Sequence, residues 1–208
     1  NSQVAFATAE IDGTVVVRAA LLAMADAAAG RQPDLGTLRA SVRKYPDLAL
    51  DGAFATVQAQ PTAAALAALI AEAGKTSKLI LDPDLDSFYV MDLQVVQLPK
   101  LLVAAAAARD RGTGGSVAER AVDAAGIAAA AGSLRSDVDT AQKNTAMGDL
   151  AGRLRPVIAA ADAADAIAAT ISATLTTPKA VDVGPLADAI AAAVAPAAEV
   201  LDDLLLTR

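Results

Sequence analysis

The chain reads as an all-α protein, an elongated bundle of about four long helices with a shorter broken pair. Two observations predict this. The apolar mass is 55% of the residues yet only 2% are aromatic, so the core must be built from Ala, Leu, Val and Ile. Small side chains of that kind suit closely packed helices, whereas a sheet protein draws more on Val, Ile, Thr, Tyr and Phe and less on Ala. The breaks are also few and far apart, and the stretches between them exceed the usual helix length, which favours elongated bundles.

Taken in order, the first helix is expected from about Gln3 to Ala29. It stops at Gly30 with Pro33 beyond, the usual punctuation of a helix C-terminus. Its apolar stripe is read as Val4, Ile11, Val15, Leu22 and Ala25, with Arg18 in register. Between Pro33 and Pro61, Tyr45-Pro46, Asp51-Gly52 and Pro61 cut the chain into short helical pieces. Thr62 to Ala73 is an Ala/Leu-rich helix ending at Gly74. The next helix has Asp82 as its N-cap and Pro83 at its first position, with Asp84 and Asp86 complementing the positive end of the dipole. It can run to Asp110, about 28 residues or roughly 42 Å, with a kink expected at Pro99. Arg111-Gly-Thr-Gly-Gly115 is a turn, and Ser116-Val-Ala-Glu119 is a capping box that opens a helix reaching about Ala146. Gly148 interrupts. Helix resumes from about Asp149 to Thr174, with a kink or break expected at Pro156. Thr176-Thr-Pro178 and Gly184-Pro185 bound a loop before a last helix over Leu186 to Leu206.

At 208 residues the chain is one domain over 1–208, or two stacked halves sharing long helices. A net charge of −7 and a pI near 4.5 argue against nucleic acid or an anionic lipid surface as partner. There is neither cysteine nor histidine, which excludes disulfides, the usual zinc ligand sets, a Cys nucleophile and a Ser-His-Asp triad. No cofactor is expected. The lack of cysteine leaves the chain at ease in an oxidising compartment. No uninterrupted apolar run reaches about 18 residues, so no bilayer span is expected. The nearest, Leu186 to Val200, carries Asp188, Pro196 and Glu199. The chain begins at Asn1 without a methionine, as an excised piece or a mature form would.

The densest chemistry lies in Leu81-Asp-Pro-Asp-Leu-Asp-Ser-Phe-Tyr-Val-Met-Asp92, followed by Leu-Gln-Val-Val-Gln-Leu-Pro99. Four carboxylates and two of the chain's five aromatics fall in its first twelve residues. The alternating Asp82, Asp84 and Asp86 lack the Gly and the distal Glu of a calcium loop, and the proline commits them to a helix start; no metal site is expected. Gly112, Gly114 and Gly115 form no phosphate loop, since no strand precedes them and no Lys-Ser/Thr follows. Along the helix, Leu85, Phe88/Tyr89, Asp92, Val95/Val96, Pro99 and Leu102 share one face, which puts Asp92 on an apolar side as Arg18 is on the first helix. An unpaired buried charge costs several kcal/mol. Arg18 and Asp92 are therefore expected to meet between helices, or to line a ligand pocket in which Arg18 greets an anion with Asp92 and Tyr89 beside it. Tyr89 and Met91 otherwise read as packing. Arg135, Asp137, Asp139 and Lys143 read as a solvated face with i,i+4 pairs.

The Leu81–Pro99 run resembles a motif of bacterial membrane sensors, "D-P-D-x-D-S-Y-Y-x-M-D … L-P". In those proteins it opens a long helix of the extracytoplasmic helical domain preceding a histidine kinase or methyl-accepting chemotaxis module. The likeness is strongest over Leu81 to Leu102. Phe88 and Val90 stand where the family usually has Tyr and Leu, and the first helix offers Gly13 and Val16-Val17-Arg18 without the family's proline. Gly30-Arg31 replaces its frequent histidine, and the alanine content fits a GC-rich genome.

The resemblance implies the periplasmic sensor domain of an inner-membrane receptor, detecting a small molecule or periplasmic protein. Its first and last helices would continue into membrane spans at the same end, with membrane-proximal and membrane-distal halves and a possible homodimer. It implies a non-enzymatic domain, since kinase machinery is absent from the sequence. A sensor histidine kinase is the leading parent and a chemoreceptor the alternative. A ligand-free structural bundle is the competing class, though three consecutive clean heptads are lacking. An enzyme would need a carboxylate pair or a lysine, and no pair stands out beyond the capping cluster.

Overall fold

The computed structural model describes residues 2–207, with side chains from Ala7 onward. The chain is 80% helical, and no strand occurs among the described residues. Its helices are α1 (Ser2–Ala28), α2 (Gly36–Lys44), α3 (Asp51–Ala59), α4 (Ala63–Thr76), α5 (Leu85–Asp92), α6 (Leu98–Arg111), α7 (Val117–Asn144), α8 (Leu150–Arg153), α9 (Arg155–Ala173) and α10 (Gly184–Leu206).

Helix ends fall where local chemistry puts them. Gly30 takes the left-handed conformation after α1, at φ 76°. Thr62 caps α4 through Ala65 N–H at 3.1 Å. Ser116 and Glu119 close the expected capping box on α7, satisfying two donors that the first turn would otherwise leave open. The expected single helix over 149–174 is two, because Pro156 opens α9 and Leu154 breaks the chain before it. Pro156 has no N–H for an upstream carbonyl and fits only a first turn.

The long rods alternate in direction. Arg31 of the α1 end meets Asp188 of α10 at 3.0 Å, and Thr14 Oγ1 donates to Asp202 at 2.7 Å, so α1 and α10 run antiparallel. Asn1, Arg208 and the side chain of Val4 lie outside the described residues. α7 and α9 run antiparallel too, tied by Arg135 to Asp162 and Asp165 at 2.7 Å each. Alanines fill these seams: Ala130, Ala131 and Ala141 of α7 and Ala160, Ala161 and Ala164 of α9 are all buried. Such residues let backbones approach closely.

Two helices differ from the sequence reading in phase. Val15 and Leu22, expected inward on α1, are 37% and 42% exposed, and Arg18 is exposed with them. The buried side is Val16, Val17, Ala20, Leu21 and Met24. α1 is apolar almost all round, so periodicity could not separate its faces. Between α5 and α6 the backbone makes one π-helical turn, Leu93–Gln97, with Leu98 N–H reaching Leu93 C=O. This turn stands where a kink at Pro99 was expected. The extra residue per turn accommodates the donor that Pro99 lacks and keeps the rod continuous.

The rod Leu85–Arg111 and α9 are each long and apolar enough to cross a membrane by length and composition, with 61% and 39% of their most apolar stretches buried in the bundle. The expectation of no such helix rested on uninterrupted apolar runs. A window tolerating one or two charges admits both, as it admits the core helices of many bundles.

Candidate functional site

The motif begins as a turn, not a cap. Asp82 is 6% exposed, and its Oδ1 accepts from Asp84 N–H at 3.1 Å, an Asx turn that precedes the helix. Asp84, not Asp82, occupies the N-cap position of α5, and it makes no side-chain cap. Its carbonyl accepts from Ser87 Oγ at 3.2 Å, while Asp86 Oδ1 accepts from Ser87 N–H at 2.8 Å. The expected cap at Asp82 with Pro83 in the first turn is thus displaced by two residues, because the Asx turn claims the Asp82 carboxylate first.

Beyond the turn, the buried side of α5 is Ser87, Val90 and Met91, continuing into Leu93, Gln94 and Val95 of the π turn. Phe88 and Tyr89 are half-buried and meet edge to face, ring centroids 5.4 Å apart. Pro99 and Leu102 do face inward. The predicted face therefore holds after the π turn and slips before it. Gln94 fastens the turn from inside: its Nε2 donates to Val90 C=O at 2.9 Å and to Ala197 C=O of α10 at 3.3 Å.

Arg18 and Asp92 are not partners. Arg18 is exposed on α1, where its charge acts on Asp202 of α10. Burial pushes the Asp202 carboxyl up, and its hydrogen bond from Thr14 and the Arg18 charge oppose that, while Asp203 and Glu199 reinforce it. Asp92 is half-buried, accepts from Gln97 Nε2 at 2.8 Å, and lies within hydrogen-bonding reach of Asp137 on α7. Tyr89, the third residue expected beside a ligand, packs against Phe88.

Asp137 was expected on a solvated face and is 6% exposed. Burial, then the adjoining Asp92, raises its carboxyl to about 8. The sequence did carry a signal for it. Ala130, Leu134, Asp137 and Ala141 recur at helical spacing, and the other three are buried. The charges of Arg135, Asp139 and Lys143 around it masked that register. The neighbouring Lys143–Asp139 pair forms as expected.

At the end of the bundle where α5 starts and α7 and α10 stop, an open groove of about 450 Å³ is lined by Pro83, Asp84, Leu85, Asp86, Asn144, Ala146, Leu204 and Thr207. Half of its wall is the motif, and the rest comes from helix ends that sequence spacing could not connect to it. Leu85 is 52% exposed there, so the groove offers apolar surface beside carboxylates, an amide and a hydroxyl. Among the described residues no cluster of three or more acidic side chains could hold a metal ion. No family model, curated protein or solved structure matches this chain.

Proposed function

We propose that this chain is the extracytoplasmic sensor domain of a bacterial inner-membrane receptor, a sensor histidine kinase, standing on the periplasmic side and doing no chemistry itself. The observation that carries the reading is the Leu81–Asp92 motif with Pro99, whose sequence resembles that of such sensors and whose first residues wall the groove. A groove of about 450 Å³ is of a size that holds a small molecule. A signal seated in it touches the start of α5, the end of α7 and the last turn of α10 together. A swing of the α10 C-terminal end against α1 is then the natural output, since these two antiparallel helices bring the start of α1 and the end of α10 to one tip of the bundle. Ligand binding shifts such an equilibrium only through contacts that differ between the two states, and contacts shared by three helix ends meet that requirement.

The test has two parts. The coding sequence on either side of the chain should encode membrane spans, followed by a kinase module; flanks that encode neither overturn the reading. In membrane vesicles carrying the whole receptor, Leu85→Arg, which fills the groove with a charged side chain from an already exposed position, should abolish the response of autophosphorylation to the inducing signal while leaving basal activity. An unchanged response removes the groove from the signalling path.

A further inference from the structure

We infer that Asp92 and Asp137 form a proton-sharing latch between α5 and α7, closed while Asp137 holds a proton and released when that proton leaves. The inference stands whatever the domain detects.

Three observations carry it. Two carboxyls from different helices lie within hydrogen-bonding reach, where two ionised groups would repel and neither could donate. Asp137 is 6% exposed, and its Oδ2 is enclosed with no hydrogen-bond partner, so an ionised form would leave a buried lone pair unsatisfied. A proton on Asp137 turns repulsion into an O–H donated to Asp92. The third observation is the π turn. In a regular α-helix residues five apart lie about 140° around the axis from one another, too far for contact. The π turn that follows Asp92 brings Gln97 round to donate to Asp92 at 2.8 Å. Asp92 is therefore held from below by Gln97 and faces Asp137 as an oriented acceptor.

Among the described residues no cation intervenes. On α7, Arg135 is engaged by Asp162 and Asp165 of α9, and Lys143 by Asp139. Arg153 of α8 pairs with Asp203 of α10, and Arg111 of α6 with Asp123 and Glu119. Lys100 of α6 and Arg155 of α9 are exposed. Asp86 on α5 is turned to its own Ser87 N–H. Within the same residues, Asp92 alone exerts a charge effect on Asp137.

The folded-state carboxyl of Asp137 is raised to about 8 from an ordinary 3.8. Between those values the folded chain keeps a proton that the unfolded chain has lost. The stability that Asp137 contributes is therefore fully present below about pH 4, falls as the pH rises toward 8, and is gone above it. Asp202 adds a slope of the same sign, so the measurement is a difference.

Thermal and urea unfolding of the chain is compared with Asp137→Asn from pH 5 to 9.5. The substituted amide keeps a donor for Asp92 but carries no titrating proton. The wild-type unfolding constant, relative to that of the variant, should rise by up to about tenfold per pH unit below pH 8 and then flatten. Parallel profiles overturn the latch. Carboxyl-carbon NMR of the wild-type chain needs no variant: Asp137 should titrate near pH 8, and titration in the ordinary carboxylate range overturns the proposal. Millimolar calcium or magnesium is added at pH 9. If it raises the melting temperature of the wild type but not of Asp137→Asn, the pair is a cation site and the proton latch is overturned.

Discussion

Substituting Gly13 by alanine tests how closely α1 and α4 meet. A Cβ at position 13 would stand 2.4 Å from Ser77 Oγ and 2.5 Å from Ser77 Cβ. Ordinary carbon contacts begin near about 3.5 Å, so the two helices must part by roughly 1 Å. Ser77 cannot turn aside cheaply. It is fully buried, its N–H donates to Ala73 C=O at 3.0 Å, and its Oγ spans Gly74 C=O and Leu79 N–H. Overpacking of this kind costs about 1–3 kcal/mol, while alanine's better helix propensity returns about 1 kcal/mol. The net loss should be at most about 2 kcal/mol, near 2–4 °C in melting temperature for each kcal/mol in a chain of this size. Gly126 and Gly132 of α7 serve as controls, because a Cβ at either meets nothing within 4 Å; there alanine should stabilise by up to about 1 kcal/mol. Far-UV circular dichroism through thermal and urea unfolding reads all three. In a Ser77→Gly background the penalty at position 13 should vanish, a coupling that only direct contact produces. If Gly13→Ala stabilises as the controls do, the close approach is wrong.

Arg120 is 8% exposed and donates to the carbonyls of Gly114, Gly115 and Leu175; Arg120→Met, which keeps the stem but no donor, should cost about 3 kcal/mol in urea unfolding. Arg120→Lys should recover only part of that, for want of the planar fork, and a silent Arg120→Met refutes the assignment. Arg18→Met and Asp92→Leu should add within about 0.5 kcal/mol in a double-mutant cycle, since the two side chains do not meet. Arg18→Met should instead couple to Asp202→Asn, and the reverse pattern would reinstate the pair expected from sequence.

What could be read from the chain divides by the range of the cause. The end of α1 at Gly30, the Thr62 and Ser116 caps and the break before Pro156 are set by a few adjacent residues, and each falls within a residue or two of its predicted place. The inward face of α1 was not legible, because Val15 and Val16, or Leu21 and Leu22, are equally apolar and only the neighbouring helices decide between them. Nor was the facing of Asp92, which lies upstream of a π turn. Counting back from Pro99 and Leu102 in steps of 3.6 gains one residue across Leu93–Gln97 and turns Asp92 toward the wrong helix. The need for a partner was legible from the charge on that face. The groups that adjoin it are Gln97 and another carboxyl 45 positions away, Asp137, which a search for opposite charges could not propose.

The two ends of the bundle are held differently, and the difference bears on where it can move. At the end formed by the α1, α6 and α9 C-termini, arginines supply donors to carbonyls that helices leave open. Arg109 reaches Ala27 and Ala28 C=O of α1 at 2.9 and 2.6 Å, and Arg120 does the same for Leu175 after α9. Each places a cation at the negative pole of a helix. Arg31–Asp188 and Arg111–Asp123 join further elements there. At the opposite end, where α5 begins and α7 and α10 finish, the corresponding space is the groove, and Arg153–Asp203, half exposed, is an ion pair beside it. A surface pair of that kind contributes at most about 1 kcal/mol. The Asp92–Asp137 contact lies between the two ends, so releasing it loosens α5 from α7 toward the groove while the arginine-clamped end stays fixed. Relative motion of α10, the output proposed for the sensor, is then a hinge about the clamped end and needs no repacking of the alanine seams.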